Sequence, residues 1–342
     1  MFLAGDVGGT KTLLGLFEDG GSGLHPVREA AFDSQGHPSL QAIVREFLSA
    51  GREKVRSFAV GVAGPVVRGR SQVVNLRWPV DAKKLARALG LERVTVLNDL
   101  EATAWGISQL GSRQLVNLTP GLRGGTGNAA VIAAGTGLGM ALLVRDGDEF
   151  HPSASEGGHQ EFAPRDDLEI DLLRFMRRRH SRVSVERIVA GSGFSAIYEF
   201  LIESGRYRES ARMGRLLSAA DDPNAVISAA GLAGEDRAAA KTLELFVSLY
   251  GSAAGDLALV ARATAGVYVG GGIAPVILPS LRSGLFIQAF RNKGRLSSLL
   301  EKIPVRVIVE PRTALLGAAA CAARSSRGRG PVTAPSRAKK PR

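Results

Sequence analysis

The chain opens Phe2-Leu3-Ala4-Gly5-Asp6-Val7-Gly8-Gly9-Thr10-Lys11-Thr12, and the reading of this stretch decides the fold. Residues 2–6 are an apolar run of strand length, and residues 12–17 predict a second strand. The polar and glycine residues between them form a tight turn, so the two strands make a hairpin. The turn carries more than a bend requires: two glycines, hydroxyls, a lysine and one carboxylate. Backbone N–H groups can wrap a phosphate chain only where no Cβ intrudes, and glycine provides that space. The Asp6 carboxylate would repel phosphate unless a metal lay between them. Mg²⁺ held by one or two carboxylates and by phosphate oxygens is the usual arrangement. Asp6 is therefore assigned to Mg²⁺ through water, and Gly8, Gly9, Thr10 and Lys11 to the phosphates. Taken alone, the stretch would also fit an ordinary hairpin bend.

The same design recurs about half a chain later. Residues 129–134 predict a strand, Gly135-Thr136-Gly137-Leu138-Gly139 a turn, and residues 140–144 a strand. A dinucleotide site would need those glycines to open a helix, and the residues that follow read as a strand. A Walker-type loop would need a Gly-Lys-Ser/Thr ending, which is absent. Residues 267–269 predict a further strand, followed by Gly270-Gly271-Gly272. Strand, glycine turn, strand thus occurs twice, which predicts an internally duplicated α/β architecture. Two similar lobes would bring both turns to a shared cleft. Gly135, Thr136, Gly137 and Gly139, with Gly270, Gly271 and Gly272, complete the candidate nucleotide segments.

A hydroxyl acceptor needs a different chemistry. Residues 94–97 predict a strand that ends in Asn98-Asp99, with a helix from about residue 100. Asp or Asn there can simply cap the helix. Asp99 can also orient a substrate hydroxyl and accept its proton late, since a carboxylate with pKa near ~4 cannot deprotonate an alcohol in advance. Ser155-Glu156-Gly157-Gly158-His159 is a second polar constellation. Its glycines would let Glu156 and His159 reach adjacent hydroxyls of one ligand; otherwise it is a surface loop. Glu186 follows Ser184, a plausible helix cap, and a first-turn glutamate there would suit the helix dipole. The stripe Leu243, Phe246, Val247, Tyr250, Ala254, Leu257, Ala261 has helical spacing and reads as core packing.

Composition excludes several classes. A chain of 342 residues suggests about two domains. The single cysteine, Cys321, excludes an internal disulfide and a cysteine-rich zinc cluster, and it fits a reducing cytosol. The other histidines, His25, His37, His151 and His180, show no ligand spacing. The net charge of +12 resembles a nucleic-acid signal until it is located. Residues 324–342 hold seven basic side chains and no acidic ones, leaving +5 for the rest. No aromatic residues interleave with those charges, so no specific nucleic-acid surface is expected. The tail, rich in Pro, Gly, Ser and Lys/Arg, is expected to be disordered. No signal peptide is expected, because Asp6 interrupts the first apolar run. The uncharged stretch 124–144 is long enough for a membrane span, but its six glycines favour strand, turn, strand.

In this order, the pieces resemble the bacterial glucokinase family, within the superfamily of sugar kinases, heat-shock ATPases and actin. The resemblance is carried by Leu3-Ala4-Gly5-Asp6-Val7-Gly8-Gly9-Thr10, Leu97-Asn98-Asp99, Gly135-Thr136-Gly137-Leu138-Gly139, Glu156-Gly157-Gly158-His159, Glu186-Arg187 and Gly270-Gly271-Gly272-Ile273. It covers residues 3–323. It implies a duplicated actin-like, ribonuclease H-like α/β fold with two lobes about a central cleft. The expected small lobe is 1–109 with a return of 303–323, the large lobe 110–302, and the basic tail 324–342. It implies a cytoplasmic enzyme that transfers phosphate from ATP, with Mg²⁺, to glucose, and it leaves a homodimer open. Asp99 matches the catalytic base; Asn98, Asp99, Glu156, His159 and Glu186 match the glucose-binding positions. The two glycine turns match the phosphate segments, and Gly270 to Gly272 the adenosine segment. Kinases of other hexoses and a non-catalytic sugar sensor share this fold. Two departures are plain: Lys11 stands where the family often has Asn, and the zinc-binding cysteine cluster of the related repressor branch is missing. No DNA-binding extension is expected before the first strand.

Overall fold

The computed structural model describes residues 1–21, 23–73 and 75–327; residues 328–342, most of the expected basic tail, lie outside the described residues. The chain divides into two compact units. The first comprises Met1–Gly111, Phe150–Pro152 and the chain from Arg312; the second comprises Ser112–Glu149 and Ser153–Pro311.

The first unit is built on a five-stranded sheet in the order β3 (Leu24–Asp33), β2 (Lys11–Asp19), β1 (Phe2–Val7), β4 (Ser57–Val62), β7 (Val94–Asn98). A small ribbon pairs β5 (Arg70–Gln72) with β6 (Pro79–Asp81). The β1–β2 hairpin is antiparallel, with Asp6 opposite Leu13, while β4 runs parallel to both β1 and β7. Both faces are covered, which explains why the central strands read as unbroken apolar runs. Leu3, Val7, Val60 and Val62 pack with Leu40, Ile43, Val44 and Phe47 of α1 (Leu40–Ser49) and Leu85 of α2 (Ala82–Leu89). The alternate residues Phe2, Ala4, Ala59 and Leu97 pack with Trp105 of α3 (Asp99–Ile107) and with Leu315, Ala318, Cys321 and Ala322 of a closing helix, Thr313–Ser326.

That helix overrides two sequence expectations. It runs three residues past Ala323, because Arg324 lies 5.4 Å above the Trp105 ring and Arg93 donates to the Ser325 carbonyl. The basic run therefore starts inside a packed helix and not in a tail. The return to the first unit also comes later than residue 303, since β13 (Val305–Ile308) pairs with strands of the second unit.

The second unit holds a six-stranded sheet in the order β11 (Glu149–Ser155), β10 (Leu138–Asp146), β9 (Ala129–Ala134), β12 (Gly266–Gly270), β13, β8 (Leu115–Asn117). Here β9 and β10 form an antiparallel hairpin, and β12 runs parallel to β9 and β13. Position for position this repeats the first sheet, with β8 added at one edge. Helices α4 (Asp167–Arg177), α5 (Gly193–Glu203), α6 (Ala211–Ser218) and α7 (Pro223–Ala233) lead to α8 (Arg237–Ala261). In length and composition α8 could cross a membrane, but 72% of its apolar window is buried within the chain, as a core helix requires. Stretch 124–144 contains strand, turn and strand, as its glycines predicted.

Candidate active site

In the first unit the site grows from the ends of β1 and β7. Asp6 stands one residue before the end of β1, and Asp99 is the first residue of α3. Burial, reinforced by the negative charge of Asp99, pushes the Asp6 carboxyl up to about 6. The two carboxylates therefore feel each other, and a cation between or beside them would relieve both penalties.

Asn98 caps α3. The Asn98 Oδ1 accepts from the amides of Leu100 at 2.9 Å and Glu101 at 3.4 Å, and its Nδ2 donates to the Gly64 carbonyl at 3.2 Å. The Asp99 Oδ1 also accepts from the Leu100 amide at 2.9 Å. Glu101, in the same first turn, is pushed up to about 7 by burial, against an opposing hydrogen bond from the Asn98 amide.

The first glycine turn closes on itself through the Gly8 amide, which donates to the Lys11 carbonyl at 3.0 Å. Gly8 thus shapes the turn, and the amides of Gly9 and Thr10 have no acceptor among the described residues. The exposed Lys11 ammonium has no ion-pair partner among them either. Two donors, a hydroxyl and a cation are a suitable set for phosphate oxygens.

The second unit gathers another group. The Glu186 Oε2 accepts from the Leu138 amide at 2.9 Å, and its Oε1 lies 3.7 Å from the His159 Nδ1. The Glu186 carboxylate is therefore anchored on the second glycine turn. A Cβ on Gly137 would sit 2.6 Å from Glu186 Oε2, so a side chain there would push that carboxylate aside. Glu156 and His159 bracket a single 3-10 turn, Gly157–His159, closed by the His159 amide on the Glu156 carbonyl at 3.0 Å. Spacing of three residues in such a turn places both side chains on one side. Arg182 fixes the turn by donating to the His159 carbonyl at 2.6 Å. Glu186 itself lies in a 3-10 turn, Val185–Arg187, and Ser184 makes no side-chain cap. The expected helix start is thus only one turn, because its carboxylate bonds to the glycine turn.

The Gly270–Gly272 segment lies against the same turn. Gly271 has φ +82°, and a Cβ there would strike the backbone of Ala134, the residue before Gly135. Tyr250 of α8 joins these segments. Its buried hydroxyl accepts from the Ala134 amide at 3.1 Å and faces the carbonyls of Gly270 at 3.2 Å and Ile132 at 3.3 Å. Burial pushes this phenol well above its ordinary value, so it stays a donor. Sequence reasoning counted Tyr250 as core packing. Its one signal was a polar tip in an otherwise apolar stripe.

The donors fit Mg²⁺. Asp6 offers hard oxygen, and the burial and neighbouring Asp99 charge that raise its pKa are penalties a dication would relieve. No group of three or more His, Cys, Asp or Glu clusters for a metal among the described residues.

Comparison with known proteins agrees with this geometry. The glucokinase family profile matches residues 3–325. A glucokinase of Trichormus variabilis is 39% identical over 339 residues, covering 95% of this chain and 99% of that protein. The crystal structure of a glucokinase from an Antarctic psychrotroph superposes with TM-score 0.83 at 31% identity, covering 94% of this chain and 98% of that one. At the level of fold alone, a ROK family glucokinase from Streptomyces griseus, solved with glucose and AMPPNP, gives TM-score 0.59 at 23% identity, covering 94% of this chain and 99% of that one. The duplicated sheets are those of the actin-like sugar kinases. The chain belongs to the glucokinase family and is a sugar kinase, a phosphotransferase that uses ATP.

Proposed function

We propose that the protein transfers the γ-phosphoryl group of ATP to the 6-hydroxyl of glucose, with Asp99 as the proton acceptor. The observation that carries this reading is the pairing of Asp99 at the start of α3 with Asp6 at the first glycine turn, close enough to perturb it. The amides of Gly9 and Thr10 and the Lys11 ammonium bind phosphate oxygens, and Thr136 and Gly137 offer the second set. Asp6 would hold Mg²⁺ through water, and the bound ion would neutralise charge on the β- and γ-phosphates. Asn98, Glu156, His159 and Glu186 receive the sugar hydroxyls. Acceptor carboxylates and an imidazole that can donate or accept suit a polyol, in which each hydroxyl is both donor and acceptor.

In the transfer, a bond forms between the sugar O6 and the γ-phosphorus, and the bond from that phosphorus to the bridging oxygen of ADP breaks. The hydroxyl proton passes to Asp99 late, when the oxygen has become acidic through bonding to phosphorus. A cytoplasmic setting suits a chain whose single cysteine is buried and free.

Asp99→Asn should lower kcat by at least ~10²-fold, with glucose affinity little changed. Near-normal turnover would remove Asp99 from the chemistry. The ratio kcat/KM for glucose against mannose, fructose and N-acetylglucosamine, measured by ADP release, tests the substrate. A preference for another hexose would reassign it, and sugar binding without ADP release would leave a sensor.

A further inference from the structure

The first glycine turn is held from a segment that the reaction has not called on. Directly after β3, residues Ser34 and Gln35 lie back across the turn. Ser34 is fully buried. Its amide donates to the Thr10 carbonyl at 2.8 Å, and its hydroxyl donates to the Gly8 carbonyl at 2.9 Å. That hydroxyl has one proton to give, so Thr12 Oγ1, 2.8 Å away, must be the donor in their shared bond. Gln35 Nε2 donates to the Gly9 carbonyl at 3.3 Å.

Three consecutive carbonyls, those of Gly8, Gly9 and Thr10, are therefore bound from one side by two residues. A trans peptide sets its N–H opposite its C=O. Fixing these three carbonyls fixes the opposite direction for the amides of Gly9, Thr10 and Lys11, the first two of which are the donors assigned above to phosphate. The clamp is itself braced. His37 Nδ1 bonds to the Asp33 carbonyl at 2.7 Å, its Nε2 lies 3.0 Å from the Glu46 carboxylate on α1, and Trp78 Nε1 donates to the His37 carbonyl at 3.0 Å.

We propose that Ser34 and Gln35 are positioning residues for the triphosphate: they hold the first glycine turn with its amides aimed at the nucleotide before the nucleotide arrives. This rests on the reading of that turn as a phosphate segment. Preorganised donors save the ordering cost that a floppy glycine turn would otherwise impose on binding. The clamp touches only the nucleotide side, so its loss should separate the two substrates.

The test measures KM for ATP, KM for glucose, and AMPPNP affinity by calorimetry in the folded full chain. Ser34→Ala should weaken nucleotide binding about three- to tenfold, the usual effect of one lost neutral hydrogen bond, with the glucose KM within twofold of wild type. Gln35→Ala lies on an exposed residue and should fold whatever Ser34→Ala does; about a twofold rise in the ATP KM is expected. Ser34→Thr, which keeps the hydroxyl, should restore affinity if it folds. Equal rises in both KM values would mean general loosening and would overturn the proposal, as would unchanged AMPPNP affinity in Gln35→Ala and any folded Ser34→Ala. Lys11→Ala separates the two layers. If it leaves the ATP KM unchanged, the phosphate reading of the turn fails and the clamp fails with it. If it raises that KM while the clamp variants do not, only the clamp is wrong.

Discussion

Neighbouring residues of α3 divide three tasks that sequence position alone could not separate. Asn98 caps, Asp99 is the residue proposed to face the substrate hydroxyl, and Glu101 is half-buried. Glu101 has a pKa raised from 4.5 to about 7, so the folded state prefers its neutral form. The stability that the neutral form contributes is complete below pH 4.5 and is lost as pH rises through about 7. Glu101→Gln should therefore stabilise the protein at pH 8 by up to roughly 3 kcal/mol and have no effect near pH 4. Denaturant midpoints across that range would show it, and a pH-independent difference would contradict it. Gly137→Ala makes an opposite kind of change, since its methyl would displace Glu186 from the Leu138 amide. The expected result is a rise in glucose KM of at least about tenfold; an unchanged KM would detach Glu186 from the sugar. Asp6, Asp99 and the glycine turns were legible because their residue types are conspicuous. The anchoring of Glu186 was not, because a hydrogen bond to a backbone amide 48 residues away leaves no mark in composition.

Elements were legible where burial imposes a pattern. The β1–β2 and β9–β10 hairpins and the core stripe of α8 follow from apolar runs and helical spacing, and β9 falls on residues 129–134 as expected. The edge strand β3 was missed because Pro26, Arg28 and Glu29 interrupt its apolar residues and its pattern alternates with solvent, a normal way to guard a sheet edge. Tyr250 belongs to this scale because it couples elements: one hydroxyl on α8 joins the ends of β9 and β12. Tyr250→Phe would leave the Ala134 amide buried without an acceptor, at a cost of about 1–3 kcal/mol. Urea unfolding should register that loss, and the ATP KM should rise with it. A stability equal to wild type would mean the amide finds another partner.

Across the whole molecule, the strand order of the first sheet is repeated in the second. Each unit carries one glycine turn in a hairpin, between β1 and β2 in the first and between β9 and β10 in the second. The first unit is not contiguous, however. Its second face is covered by Thr313–Ser326, whose Leu315, Ala318 and Ala322 pack with Phe2, Ala4 and Trp105. A chain stopped after Arg312 should be insoluble or proteolysed. One stopped after Arg327 should keep kcat/KM for glucose within about twofold, because every packing contact of that helix is retained. Expression and assay of the two truncations would decide it. The order of synthesis gives the closing helix a further meaning. The ribosome makes the β1–β2 hairpin before the second unit and its cover after it, so one apolar face of the first sheet must wait while the second unit is translated. A nascent chain in that condition is a client for chaperones, and slow translation late in the message would lengthen its exposure.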